Sequence, residues 1–167
     1  PTVALAKLER GELDAVIGGH LPETPRCIRH RLFEERFVCI RDGARASRSE
    51  RLSLEDYAGL PHALFSAAGG DGLPSVIDAL LARHGLKRRL AVTLAHVVAV
   101  PFAVAGTDLI ATLSERVARR FTHLADIAVV APPIEIPAFA IDLIHTSRAA
   151  DDPALRWFLD ADRKSVV

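Results

Sequence analysis

The sequence predicts an α/β protein made of two lobes, with one lobe inserted into the other. Three observations carry that reading. Residues 95–121 (AHVVAVPFAVAGTDLIATLSERVARRF) read as helix, tight glycine turn, buried strand and second helix. Residues 130–159 read as a long extended crossing that ends in a short amphipathic helix. Between them and the N-terminus, strand and helix patterns alternate at the spacing of parallel βαβ units. A chain that completes one α/β lobe and returns by a single extended strand builds a cleft between two lobes. Clefts of that kind hold small molecules.

Taken in order, residues 3–10 are read as a helix stopped by Gly11, where a left-handed C-cap needs glycine. Residues 13–17 follow as a buried strand, with Gly18 and Gly19 allowing close backbone approach at its end. Residues 31–40 mix apolar and charged side chains, and the polar stretch 41–49 is read as the first crossing between lobes. Ser53 and Asp56 have capping-box spacing, with Asp where Glu or Gln is usual, and Leu52 and Tyr57 suit the hydrophobic staple. Pro61 ends that helix, and a strand runs over 62–65. Residues 73–84 place Val76, Ile77, Leu80 and Leu81 on one helical face, with Gly85 as the stop.

A strand over 90–94 leads to a small-residue helix over 97–105, closed by Gly106. A strand over 109–113 and a last helix capped by Ser114 complete this lobe. Pro132, Pro133 and Pro137 punctuate the return crossing, because proline suits exposed extended chain and damages a central strand. Lobe one is thus read as 1–41 plus 136–161, and lobe two as 42–135. The final residues 162–167 are read as a non-native tail, the alternative being a genuine polar terminus. No internal repeat or low-complexity run interrupts this order.

Composition narrows the class. Half of the 167 residues are apolar, enough for a buried core, and no apolar run reaches bilayer length. Lys+Arg and Asp+Glu balance at 21 each, so there is no general basic field and no DNA-binding surface is expected in this chain. Cys27 and Cys39 have neither metal-type nor redox-type spacing. Two lone cysteines read most simply as reduced thiols in a cytoplasmic protein.

No constellation for catalysis is visible. The glycine-rich run Ala67, Ala68, Gly69, Gly70, Asp71, Gly72 lies between a strand and a helix, where anions often bind. It misses the dinucleotide fingerprint, since counting from Gly70 puts Ser75 at the third glycine position, and it lacks the Lys-Ser/Thr of a P-loop. It reads either as a flexible loop or as backbone amides facing a ligand carboxylate. The seven histidines are scattered with no pair at helical ligand spacing, so no metal and no cofactor are expected. Ser66 is not in a nucleophile-elbow sequence, and Asp14, Asp78 and Asp108 form no acid/base pair. An enzyme is the weakest reading.

The segments GELDAVIGG (11–19), EERFVCIRDGA (34–44), LSLEDYAGLPHALFS (52–66), AGTDLIATLSERVARR (105–120) and APPIEIPAFAIDLIHTSRAADDPALRWF (131–158) resemble the effector-binding domain of LysR-type transcriptional regulators. The resemblance covers nearly the whole chain, and residues 96–113 lean toward the branch sensing aromatic acids and flavonoids. It implies a type II periplasmic-binding-protein fold of two Rossmann-like lobes joined by two crossover strands, with lobe one incomplete at its N-terminus. It also implies an inducer in the interlobe cleft, a homo-oligomer (dimer or tetramer), and DNA contact only through an N-terminal helix-turn-helix outside this chain. No membrane partner is implied. A periplasmic solute-binding protein that delivers a ligand to a transporter is the alternative on the same fold.

On that frame, His96 is a protonatable donor just before the small apolar run Val97, Val98, Ala99, Val100. It either pairs with an aromatic carboxylate or phenol, or faces water or a backbone carbonyl. Ser66 and Ala67 end a lobe-two strand, where open α/β sheets place ligands, or form an ordinary strand-to-loop transition. Pro137 and Phe139 lie on the return crossing, where the ring either stacks on a ligand or packs in the core. Gly19 and His20 follow the lobe-one strand, as cleft residues or as a plain turn. Trp157, with Leu155, Phe158 and Leu159, gives the terminal helix an apolar patch expected to dock on lobe one, with Asp151 or Asp152 as cap and Pro153 in the first turn. Val76, Leu80 and Val117 lie on helices that suit an oligomer contact.

Overall fold

In the computed structural model, residues 2–46, 51–66, 76–147 and 152–165 are described. The chain divides into two compact units, Pro1–Glu35 with Ala138–Val167, and Arg36–Pro137. The first switch therefore comes at residue 36 rather than 42. The reason is that strand β3 (Phe37–Asp42) pairs with β6 (Ile110–Ser114) and β7 (Ile127–Val130), so residues 37–41, expected to end the first part of lobe one, belong to a strand of the second unit.

The second unit is a five-stranded sheet of order β5-β4-β6-β3-β7, with β4 at Pro61–Phe65 and β5 at Arg89–Leu94. β4 runs parallel to both β5 and β6, whereas β3 is antiparallel to β6 and β7, so the expected parallel pairing holds for β4, β5 and β6. Strand alternation sends Cys39 and Ile40 to opposite faces, and likewise Ile110 and Ala111. Cys39 and Ile110 pack with Tyr57, Ala58, Ile77 and Leu81, which come from α2 (Leu54–Gly59) and α3 (Val76–Ala82). Ile40 and Ala111 pack with Val100, Val104 and Ala118, from α4 (Val100–Val104) and α5 (Glu115–Phe121). Helices thus cover both faces.

Local signals explain most of these elements. Ser53 caps α2 by accepting from the Asp56 amide at 3.0 Å, and Leu52 and Tyr57 share one apolar cluster, as the capping-box and staple pattern predicts. Gly85 and Gly106 follow α3 and α4 at φ +69° and +73°, a conformation that costs a side-chain-bearing residue. Ser114 stands at the N-cap of α5 but makes no side-chain cap bond; the Glu115 amide donates to the Arg36 carbonyl at 2.8 Å instead. Val76 is exposed, so the buried face of α3 is Ile77 and Leu81, with Leu80 half-buried.

The first unit is a three-stranded antiparallel sheet of order β1-β8-β2, made of β1 (Ala15–Gly19), β8 (Phe139–Thr146) and β2 (Cys27–Glu35). Helix α1 (Thr2–Glu9) covers one face, packing Leu5 and Leu8 on Val16 and Ile144. Gly11 follows it at φ +75°. The expected buried strand over 13–17 is corrected in two ways. It begins at Ala15, and Ile17 is 50% exposed, because β1 is an edge strand whose alternate residues point away from α1. The last helix, α6 (Pro153–Ser165), is capped by Asp152, whose carboxylate accepts from the Ala154 and Leu155 amides. It continues into the stretch expected to be a tail. Only Leu155 of its apolar patch is buried; Trp157 is 70% exposed, so the expected docking of that ring is not made.

Candidate functional site

Expected site residues meet in the first unit, and in the second two of them stand beyond the ends of neighbouring strands. In the second unit, Ser66 directly follows β4, and its amide donates to the Leu94 carbonyl at the end of β5 at 3.0 Å. His96 lies two residues further along, as the residue preceding the 3₁₀ turn Val97–Ala99. The chain leaving β4 resumes as α3 on one face of the sheet, while the chain leaving β5 enters α4 on the other. Adjacent parallel strands whose following segments part to opposite faces leave a crevice at their C-terminal ends, the usual ligand position in open α/β sheets. Ser66 and His96 flank that point.

The His96 side chain is exposed and makes no cap hydrogen bond, so it is available to a ligand. Val97 is half-buried against the core and holds the turn in place. Ala67 and the glycine-rich run 68–72 lie outside the described residues. Pro137 is exposed at the end of the second unit, outside any strand or helix.

In the first unit, Gly19, His20 and Phe139 come together. Gly19 pairs with Ile141, and a Cβ placed on Gly19 would meet the Phe139 ring at 2.7 Å, so the ring lies over bare backbone. The His20 and Phe139 rings stack with centroids 4.6 Å apart and 19° between planes. His20 is exposed and adopts φ +53°, a left-handed conformation that costs a non-glycine residue about 1–2 kcal/mol. Among the described residues its ring nitrogens make no hydrogen bond, which leaves them open to an incoming group.

Other polar groups of the first unit carry no signal in the linear sequence. Arg29 on β2 forms an ion pair with Asp142 on β8, and its second terminal nitrogen donates to the carbonyls of Leu21 at 3.1 Å and Pro22 at 2.7 Å. His30 and the buried His145 bring their Nε2 atoms to 3.0 Å. The Nδ1 of His145 lies 2.9 Å from the Thr146 carbonyl, an acceptor, so that nitrogen carries the proton and Nε2 of neutral His145 accepts from His30. Their ring centroids are 5.1 Å apart at 9° between planes, so the rings meet tip to tip rather than face to face. These partners are separated by more than a hundred residues, and only recognition of β2 as a strand would have paired them.

Both cysteines are free, and burial pushes the Cys39 thiol up to about 11, too high for a nucleophile near neutrality. No group of three or more metal-ligating side chains occurs among the described residues. No helix among them is long and apolar enough to cross a membrane.

Comparison with known proteins agrees with these observations. The family model described as the LysR substrate binding domain matches residues 1–165. The HTH-type transcriptional regulator SyrM 1 of Sinorhizobium fredii is 33% identical over 156 residues, covering 93% of this chain and 46% of that protein. Nodulation protein D 3 of Rhizobium leguminosarum bv. phaseoli is 32% identical over 153 residues, covering 92% of this chain and 50% of that protein. The chain thus spans about half the length of the curated relatives it matches. Among solved structures, the regulatory domain of MexT, a transcriptional activator in Pseudomonas aeruginosa, superposes with a TM-score of 0.79 at 25% identity, over 98% of this chain and 78% of that one. The expected landmarks, the α/β order and these matches lead to one assignment: the chain belongs to the LysR substrate-binding domain family.

Proposed function

We propose that this chain is the inducer-binding part of a LysR-type regulator and that Ser66 and His96 contact a small effector bearing an aromatic ring or a carboxylate. The observation that supports the reading is the divergence of the chain after β4 and β5, with Ser66 following one strand and the exposed His96 following the other. His96 supplies a donor to a carboxylate or phenol. Gly19, His20 and Phe139 form a second set of effector contacts, with a ring platform and a free imidazole edge. Pro137 and Ala67 complete the set read from the sequence.

The readout is transcriptional rather than catalytic. An effector shifts a regulator only when it binds one conformational state more tightly than another, so its contacts must differ between states. DNA contact and oligomer formation belong to the intact regulator, with the DNA-binding segment outside this chain. The names of the relatives are those of regulators, so delivery to a transporter is not favoured. Substituting His96→Ala in the intact regulator should abolish inducer response in a reporter assay while promoter binding in a mobility-shift assay stays unchanged. Full induction by the variant removes His96 from the site.

A further inference from the structure

We propose that Arg29, held by Asp142, is a positioning residue that locks the turn after β1 so that His20 stays stacked on Phe139. On the reading above that this rim contacts an effector, the lock also sets how the rim meets it.

Strand register gives the geometry. Gly18 pairs with Asp142 and Gly19 with Ile141, while Arg29 pairs with Ile144. By alternation along the strands, Asp142, Ile144, Gly18 and Arg29 share the face covered by α1, whereas Gly19, Ile141 and Phe139 share the opposite face. The turn leaving Gly19 is thus gripped from both sides. On one side the His20 ring rests on Phe139. On the other, the Arg29 guanidinium binds the Leu21 and Pro22 carbonyls while its other terminal nitrogen is tied to Asp142.

Each part needs the others. His20 stands at φ +53°, a left-handed conformation that carries a cost for a residue with a side chain, so contacts on either side help to hold it. The next two residues have carbonyls with no strand partner, and a planar fork is the side chain that reaches a carboxylate and a backbone oxygen at once. Asp142 is nearly buried on the central strand, so it fixes the guanidinium from a point that does not move with the turn. The Leu21 side chain, seated over Gly18, adds an apolar anchor on the same face as Arg29. A lysine at position 29 keeps the charge and loses the fork.

The test uses intact protein carrying histidine labelled at Cε1, with the His20 signal assigned by His20→Asn, which tolerates the left-handed backbone. Ring current from Phe139 displaces this signal, and Phe139→Leu defines the position without it. In Arg29→Lys and Arg29→Met the His20 signal should move to the Phe139→Leu position, and in Asp142→Asn it should move the same way. A merely structural role for Arg29 would lower the melting temperature while leaving the signal of the folded protein in place. That outcome overturns the proposal, and if Arg29→Met does not fold, Arg29→Lys decides alone. Benzoate is titrated separately into the unsubstituted protein as a plain aromatic carboxylate. A His20 signal that ignores benzoate removes the rim from binding of that class, whereas the positioning role is judged on the variants.

Discussion

At the level of single residues, His62 is the side chain whose protonation the fold resists most. It is fully buried, its Nε2 donates to the Tyr57 carbonyl at 2.8 Å, and its Nδ1 has no partner. Burial first, with the Arg88 charge adding to it, lowers its pKa from 6.5 to about 4 against the contrary pull of the Tyr57 carbonyl and Asp78. The unfolded chain therefore takes up a proton near pH 6.5 that the folded chain refuses until about pH 4. Stability is unaffected above that window and falls as pH drops through it, by up to about 3 kcal/mol. His62→Gln should flatten this acid limb in denaturation measured from pH 7 to pH 4 (a flat wild-type profile would show that His62 protonates in the fold). Gly19 offers a second test. A methyl there would lie 2.7 Å from the Phe139 ring, so Gly19→Ala should cost about 1–3 kcal/mol and push the ring off His20. Gly18→Ala meets only the flexible end of Leu21 at 3.3 Å and should cost less by urea titration.

At the level of elements, the two serines that precede helices separate sequence pattern from actual contact. Ser53 makes its cap bond to the Asp56 amide, so Ser53→Ala should cost about 1 kcal/mol. Ser114 occupies the same position before α5 without a cap bond, and Ser114→Ala should lie within a few tenths of a kcal/mol of wild type in the same melts. Here lies the limit of what could be read from the linear chain. Helix stops at Gly11, Gly85 and Gly106 and the α2 start were legible because each depends on neighbours within a few residues. β2 was not, since Arg29, Arg31, Glu34 and Glu35 hide its alternation, and β7 was not either, only its last residue, Val130, falling in the stretch read as the return crossing. Of the candidate site residues, the placement of Ser66 at a strand end, of His96 before an apolar turn and of Gly19 and His20 after a strand was legible, because each depends on near neighbours in sequence. Arg29 and Asp142 were not, because a pairing across 113 residues leaves no local trace.

For the whole molecule, the two units differ in how much apolar structure supports them. Among the described residues, the second unit has an apolar cluster on each face of five strands, while the first has one cluster on three strands and an edge strand at β1. Amide exchange should therefore be slowest in β3 and β6 and distinctly faster in β1. Equal protection across both sheets would contradict this. The strand order has a further result for how the polypeptide comes into being. β8 sits between β1 and β2, yet it is made after the entire second unit, so both outer strands are synthesised well before the strand that joins them. That sheet can close only once β8 exists, so during synthesis the second unit can already be folded while β1 and β2 await their shared neighbour, an interval open to chaperones and to cleavage.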